Sequence, residues 1–467
     1  MKTENEIMFN KKLLLTPLLA VLVLAGCASV PVSEPHALPA TPASFKHKAL
    51  PASATLAQAD WWKTFADPQL DALTERALAH NTSLQQASAR LAQARALLRS
   101  TEANRALQLG ASAGASRQGG DAARAAGNAG TVYTAGVNLS YEIDVMGRLS
   151  KASSAAALDA QASEQLLQSA RLLVQADVAQ AYFALRALDA ERALMRETVA
   201  AYQDTLRLTE RRHAAGDIAE LDVVRVRTEV AATQSQALAL DRRRAELEHA
   251  LAVLAGELPS SLSVAEGVWV ETLPNVPAGL PSTVLERRPD VAAAQSAMRA
   301  AQARLGVAQT AWFPSLALTA SAGGASPELS DLFKSSAGLW GLNALLNLPI
   351  LDGGRREAGV QSAAAQLDLA AAGYREQVLQ AFRDVEDQLS ALTLLQAQAE
   401  VQAQAVASAT RALQLSDSRY RNGLVSQLEL LDARRSELAN RRQALQVRAA
   451  QYQSTVGLIK ALGGGWG

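Results

Sequence analysis

The feature that most constrains this chain is an internal repeat with a fixed spacing of 207 residues. Glycines and charged residues recur at this spacing, in the pairs Arg148 and Arg355, Asp177 and Asp384, Arg212 and Arg419, Gly216 and Gly423, and Gly256 and Gly463. Chance similarity between alanine-rich helices would not keep glycines and charges in one register, so the spacing predicts a tandem duplication. We place repeat 1 at residues 61–257 and repeat 2 at residues 283–467, with a proline- and serine-rich linker at residues 258–282.

Each repeat contains two segments in which apolar residues alternate with small or polar residues, which is the period of a β-strand. They predict β-hairpins at residues 107–143 and 316–350. Strands of about ten residues are long enough to cross a bilayer when they are tilted. Open sheet edges do not occur in lipid, and outer-membrane barrels have at least about eight strands, so four strands predict a barrel wall shared by several chains. The alternative is a soluble hairpin packed on the helices.

Long helical segments make up most of the remaining sequence. The shorter helix that opens each repeat is expected at Pro68–Arg105 and at Thr283–Ala311. After each hairpin, two long helices are expected at about Leu149–His213 and Ile218–Leu254, and at about Arg356–Tyr420 and Val425–Ala461. Their apolar residues recur near a seven-residue spacing, which is typical of coiled coils. A helix of sixty-odd residues would span roughly 90–100 Å, too long to be buried in an ordinary domain.

The N-terminus has the features of a bacterial secretion signal. Lys11 and Lys12 precede an apolar run from Leu13 to Ala25 that is too short for a spanning helix. The segment Leu24-Ala25-Gly26-Cys27 resembles the lipobox of bacterial lipoproteins, which implies cleavage before Cys27 and attachment of lipid to that residue. We therefore predict a signal peptide at residues 1–26 and a lipidated extension at residues 27–60. An ordinary signal peptide with an incidental cysteine is the alternative, and translation starts at Met1 or Met8.

Several classes of function find no support in the residues. The chain has 45 basic and 45 acidic residues and no basic face of the kind that nucleic acid requires. Its five histidines have no metal-ligand spacing, and no Ser-His-Asp or Cys-His arrangement indicates catalysis. The segment Asp352–Arg355 lacks the lysine and spacing of a phosphate-binding loop and is predicted to be a strand-to-helix turn. We expect no enzyme activity, no metal and no cofactor other than the covalent lipid on Cys27.

Several motifs together resemble the outer-membrane factor family (TolC/OprM-like), and within it the NodT-type efflux lipoproteins. These are WWKTFADPQLDAL, LSYEIDVMGR, VPAGLPSTVLERRPDVAAA, WFPSLALTA, PILDGGRR and YRNGLVSQLELLDARR. The resemblance covers nearly everything after Ala59. It implies a mainly α fold with membrane β-strands, in which three chains build a twelve-stranded outer-membrane β-barrel and their long coiled-coil helices form a periplasmic α-helical barrel.

The resemblance also implies roles for residues near the ends of the long helices. Gly216 and Gly423 match the periplasmic tips, where the adaptor makes contact. Five further residues match a periplasmic gate, in which carboxylates ring the closed mouth and other groups hold neighbouring helices together: Leu428, Glu429, Asp432, Asp222 and Tyr420. Val425 stands where TolC-like tips have an arginine, so the closing contacts differ in detail. The alternative for the carboxylates is a solvated helix face.

The function implied is that of a passive exit duct in a tripartite efflux pump for small toxic compounds or drugs. Its partners would be two further copies of the chain, a periplasmic adaptor protein, an inner-membrane transporter and outer-membrane lipid. The chain would lie in the outer membrane, lipid-anchored, and extend into the periplasm. The alternatives are an exit duct for type I protein secretion and a coiled-coil lipoprotein that acts only as a scaffold.

Overall fold

A computed structural model describes residues 42–46, 60–126, 129–267, 269, 273–274, 276–277, 281, 284 and 287–464. Cys27, the predicted signal peptide, most of the predicted extension and part of the predicted linker lie outside these residues. Within the described part of the chain, no helix combines the length and the apolar character that crossing a bilayer would require.

The described residues form eight α-helices and four β-strands, joined by short turns and 3₁₀ segments. In chain order they are α1 (Pro68–His80), α2 (Thr82–Ala103), β1 (Gln108–Gln118), α3 (Asp121–Ala125), β2 (Gly130–Ile143), α4 (Arg148–Ala214), α5 (Glu220–Leu254), α6 (Pro289–Gln309), β3 (Ser315–Ser326), β4 (Gly338–Asn347), α7 (Arg355–Arg421) and α8 (Gln427–Ala461). The bounds of the long helices recur at the spacing of the sequence repeat, since α4 corresponds to α7 and α5 to α8 residue for residue.

The first helix of repeat 1 is interrupted, whereas the sequence predicted one helix over Pro68–Arg105. The break falls at Asn81, which has an extended backbone conformation. Its side-chain oxygen accepts hydrogen bonds from the backbone N–H of Ser83 at 2.9 Å and of Leu84 at 3.2 Å, so it caps α2. Its amide nitrogen donates to the carbonyl of Leu254 at 2.8 Å and satisfies a group at the end of α5.

Repeat 2 uses a charged residue at the equivalent position. Arg288 donates to the carbonyl of Ala461 at the end of α8, at 3.3 Å, and forms ion pairs with Asp290 at 2.7 Å and Asp384 at 3.2 Å. Burial alone would raise the pKa of Asp290, but the hydrogen bond and the charge of Arg288 outweigh it and lower that pKa. The carbonyl at the end of the last long helix therefore accepts a hydrogen bond from an amide in repeat 1 and from a guanidinium in repeat 2.

One compact unit contains the sheet and comprises residues 102–155 and 301–371 of the described chain. Its strands are all antiparallel and follow the order β1-β2-β3-β4, so β1 and β4 are the edges. The register places Val137 opposite Ala111 on one side and Ala322 on the other, and Ala322 in turn lies opposite Trp340. The predicted apolar face is therefore continuous across all four strands.

The polar residues of the same strands line the opposite face. Asn138 lies opposite Ser321, and Thr319 lies between Ser140 and Asn343. The sequence predicted that the return strand of repeat 2 continues to Ile350, but β4 ends at Asn347. Pro349 has no backbone N–H for the ladder, which accounts for the earlier end.

A second compact unit comprises the described residues within 38–101, 156–300 and 372–467, and its core contains a cluster of aromatic rings. Only 4% of the chain is aromatic, yet rings from four distant segments meet here. The ring centroids of Phe65 and Phe183 are 4.7 Å apart, those of Phe183 and Tyr452 4.8 Å, and those of Tyr452 and Trp269 5.2 Å. The core thus joins the 3₁₀ segment Trp61–Phe65, α4, α8 and the segment between the repeats.

A buried polar network fixes that connecting segment to α4 and α5. Arg186 donates to the Tyr182 hydroxyl at 3.0 Å, to the Asp189 carboxylate at 2.8 Å and to the carbonyl of Ala265 at 2.9 Å. Arg244 donates to Asp189 at 2.8 Å and to the carbonyl of Val264 at 2.6 Å. Both arginines are paired and hydrogen-bonded, which is what burial of their charge requires.

Two glycines of repeat 1 allow a direct test of the packing between the end of α5 and α1. Gly216 and Gly256 have left-handed φ values of 80° and 73°, so alanine at either would be strained by about 1–2 kcal/mol. A Cβ at Gly256 would also lie 2.3 Å from the carbonyl oxygen of His80, whereas one at Gly216 would meet no atom within 4 Å. Gly256→Ala should therefore lower the thermal unfolding midpoint clearly more than the control Gly216→Ala. Equal losses would contradict the close contact with α1.

Candidate functional site at the helix turns

The turns between the long helices contain the predicted tip glycines, Gly216 and Gly423. Gly216 follows the end of α4, and the next N–H, of Asp217, donates to the Arg212 carbonyl at 2.9 Å. Gly423 has φ 73°, and the N–H of Leu424 donates to the Arg419 carbonyl at 2.9 Å. Glycine with positive φ is the usual way to satisfy the last carbonyls of a helix. Both turns present their backbone outward, since no other described residue approaches the Cβ position of either glycine within 4 Å.

The second turn exposes Leu428, which the sequence singled out, together with Leu424. Leu424 is 68% exposed and Leu428 is 47% exposed. Ser426 caps α8 by accepting a hydrogen bond from the N–H of Glu429 at 3.3 Å. The Glu429 carboxylate lies 3.8 Å from the Arg419 guanidinium across the turn. The turn therefore combines an apolar edge with a solvent-exposed ion pair.

Asp432 is part of a chain of charges rather than a lone carboxylate. Its side chain is 62% exposed and lies 3.3 Å from the Arg435 guanidinium, one turn further along α8. The other side of that guanidinium pairs with Glu229 of α5. Leu428 and Asp432 are both exposed, as expected for residues four apart on one helix face.

Tyr420 lies beneath the second turn and packs against the first. It is buried, and the Arg212 guanidinium carbon lies 5.2 Å from the centre of its ring, so the end of α4 contacts the end of α7. Gln427, also buried, donates from its side-chain amide to the Thr209 hydroxyl at 3.2 Å. The two turns are therefore joined within one chain.

Asp222 does not take part in the contact between the two turns. Its carboxylate lies 3.6 Å from the Arg225 guanidinium on its own helix. Within the part of the chain that the structure describes, no hydrogen bond or ion pair joins Asp222 to Tyr420. Their predicted role in holding neighbouring helices shut stays a prediction.

A small core beneath the turns was not singled out from the sequence. Tyr202 of α4 packs with Val226 and Val230 of α5 and with Leu431 of α8. Burial raises the pKa of Tyr202, and the nearby charge of Glu229 raises it further. Tyr202 is one of the residues that recur near a seven-residue spacing in α4. That spacing alone does not identify the helices that pack against Tyr202.

Arginines of α8 connect it to the three other long helices, which the sequence analysis also missed. The pairs are Arg434 with Asp417 of α7 at 3.3 Å, Arg435 with Glu229 of α5, Arg441 with Glu197 of α4 at 3.2 Å, and Arg442 with Glu191 of α4 at 2.6 Å. The sequence signal for these contacts was the pair of arginine doublets, Arg434-Arg435 and Arg441-Arg442, which lie seven residues apart on one helix. Of these pairs only Arg441 with Glu197 is exposed on both sides, and exposed pairs contribute little individually.

The described residues contain no group of three or more histidine, cysteine, aspartate or glutamate side chains that could hold a metal ion. What the turns offer is a surface of apolar, acidic and basic groups at the ends of four packed helices.

Comparison with known proteins gives consistent matches over the chain. The family model for outer membrane efflux proteins matches residues 73–257 and 280–464. The pyoverdine export outer membrane protein OpmQ of Pseudomonas aeruginosa is 36% identical over 456 residues, which cover 96% of each chain. The probable outer membrane lipoprotein SilC of Salmonella typhimurium is 31% identical over 468 residues, covering 98% of this chain and 100% of SilC. The crystal structure of the outer membrane protein VceC of Vibrio cholerae matches with a TM-score of 0.82 and 30% identity, covering 88% of this chain and 100% of that one.

Proposed function

This chain belongs to the outer membrane efflux protein family, and we propose that it is the exit duct of a tripartite efflux pump. In this role it passively exports small toxic compounds or drugs that an inner-membrane transporter and a periplasmic adaptor deliver. The observation that carries the proposal is the combination of an amphipathic sheet with two open edges and two pairs of long helices in one chain. The sheet suits a membrane wall, and the helices suit a conduit beyond it.

The edge strands support a trimer. β1 and β4 each have one hydrogen-bonded neighbour, and unpaired edge groups are costly in lipid. Four strands are too few to close a membrane barrel, which needs at least about eight. Three copies supply twelve strands, with β4 of each copy paired to β1 of the next. In this arrangement the apolar face that contains Val137 and Trp340 contacts lipid, and the polar face that contains Asn138 and Asn343 lines the channel.

The N-terminal sequence supports an additional anchor. Cys27 is the only cysteine and follows Leu24-Ala25-Gly26 at the end of an apolar run. Lipid on Cys27 would hold the chain at the outer membrane, with the long helices in the periplasm. The similarity to SilC, whose name describes a probable outer membrane lipoprotein, is consistent with this localisation.

The exposed turns support a gate and an adaptor contact. In a trimer, three-fold symmetry brings three copies of Leu424, Leu428 and Asp432 around one axis, where the leucines would close the mouth and the carboxylates would attract cations. Glu429 lies beside them, and Asp222 and Tyr420 would hold neighbouring helices shut. The backbone at Gly216 and Gly423 is open to an adaptor.

Cys27→Ser should abolish incorporation of radioactive palmitate, because Cys27 supplies the thiol that is acylated. Each buried CH₂ contributes about 0.8 kcal/mol, so the lipid makes a firm anchor, but the barrel should still retain the variant in the membrane. Cell fractions of wild type and variant would be labelled and compared. Label that persists on the variant would show that the lipobox interpretation is wrong.

The full-length protein, purified in detergent and inserted into planar bilayers, should give discrete single-channel currents. It should also migrate faster in gels when unheated, because a closed barrel resists unfolding. A scaffold lipoprotein without a barrel would show neither property, so their joint absence would overturn the proposed function.

Asp432→Ala should reduce cation selectivity and weaken block by divalent cations in the same bilayer measurement. Asp204 provides a matched control, since its exposed carboxylate also pairs with an arginine three residues on, Arg207, but it lies on α4 and is not among the predicted gate residues. Asp204→Ala should leave selectivity and block unchanged. The double change of Asp222 and Tyr420 to alanine should raise resting conductance by loosening contacts between helices. If Asp432→Ala behaves like the control, Asp432 lies on a solvated face and not in the gate.

A further inference from the structure

The sheet unit has a cavity of about 430 Å³ where its strands end and the long helices begin. Glu142, Asp144 and Arg148 line it from the end of β2 and the start of α4. Phe313 and Arg355 line it from the segments before β3 and at the start of α7. If the sheet spans the outer membrane, this cavity lies at the periplasmic surface of the bilayer, where lipid head groups are found.

The two repeats differ in how they compensate their first helical arginine. In repeat 1, Arg148 forms a double hydrogen bond with the Glu142 carboxylate, at 2.6 and 3.1 Å. In repeat 2 the corresponding residues are Arg355 and Pro349, so the carboxylate is missing. Arg355 is exposed, and it has no ion-pair partner among the residues that the structure describes.

The other charges that line the cavity are already compensated. Arg356 donates to Asp352 at 2.7 Å, and this hydrogen bond keeps the pKa of Asp352 below its usual range. The Asp144 carboxylate accepts hydrogen bonds from the N–H groups of Leu149 at 3.0 Å and Ser150 at 2.7 Å, where the helix N-terminus favours a negative charge. The cavity lining holds three arginines and three carboxylates, and Arg355 is the one of these arginines that has no ion-pair partner among the described residues.

Apolar side chains flank this charge. Ile350 is 88% exposed and Leu351 is 93% exposed, directly between the end of β4 and Arg355. Trp312 is 43% exposed, and the Arg356 guanidinium carbon lies 4.5 Å from its ring centre. Tryptophan is enriched at membrane interfaces, and exposed adjacent aliphatic residues indicate a surface that is covered by another apolar group.

We propose that this cavity binds an anionic phospholipid of the periplasmic leaflet, with its phosphate on Arg355 and its acyl chains against Ile350 and Leu351. The planar guanidinium offers paired donors that match phosphate oxygens, and the net negative charge of the lipid is the complement of the uncompensated arginine. The proposal rests on the proposed function, because it requires the sheet to lie in a membrane.

Native mass spectrometry of the detergent-purified full-length protein with added phosphatidylglycerol or phosphatidylcholine tests this proposal. Wild type should retain more phosphatidylglycerol, and Arg355→Gln should reduce that retention about fivefold, the effect of one arginine at an anionic surface. Arg355→Lys should restore part of it. Arg124 lies between β1 and β2, at the opposite end of the hairpin, and Arg124→Gln is the charge-matched control with no expected change.

The possible outcomes separate the proposals. The lipid site alone is wrong if channel currents appear but phosphatidylglycerol is not selectively retained, or if Arg355→Gln retains as much of it as wild type. Absence of channels would overturn the proposed function. If inorganic phosphate competes as strongly as phosphatidylglycerol, the cavity is a phosphate site and the proposal of a bound lipid is wrong. If Arg355→Gln instead promotes subunit exchange with unchanged lipid retention, Arg355 pairs with a carboxylate of another copy and the proposal is wrong. Ile350→Ser with Leu351→Ser should reduce retention without changing phosphate competition.

Discussion

The unpaired edges of the four-stranded sheet are the constraint on which the rest of the account depends. β1 and β4 each have an outer edge of backbone N–H and C=O groups to which no other described strand is paired. Water can satisfy such groups, but lipid cannot, so a membrane location requires another chain at each edge. The apolar face is continuous across Ala111, Val137, Ala322 and Trp340, and it is the face that we propose contacts lipid. Closure through identical copies is the simplest way to meet both conditions.

Duplication gives both repeats the same order of strands and long helices. The repeats differ in the side chains at equivalent positions. Equivalent helix ends are satisfied by Asn81 in one repeat and Arg288 in the other. Equivalent arginines at the start of the long helices are paired in one case, Arg148, and uncompensated in the other, Arg355. Each repeat therefore keeps the backbone arrangement while its side chains take on different roles.

The strands and the helix turns could be predicted from sequence because each depends on a short-range pattern. Alternation of apolar and polar residues identified the strands, and glycine identified the turns at Gly216 and Gly423. The break at Asn81 was missed, although its capping of α2 through Ser83 and Leu84 is local. Its second hydrogen bond, to the carbonyl of Leu254, depends on a residue far along the chain. The pairing of Arg435 with Glu229 depends likewise on residues 206 apart. Such long-range partners have no signature in local sequence.

Disulfide formation between β1 and β4 tests the shared barrel most directly. In a Cys27→Ser background, Ser112→Cys on β1 would be combined in turn with Gly341→Cys, Asn343→Cys or Leu345→Cys on β4, all on the polar face. The account predicts that one of these registers gives links between chains in membranes, producing dimers and closed trimers but nothing larger. Links only within a chain, ladders beyond three chains, or no links at any register would contradict it.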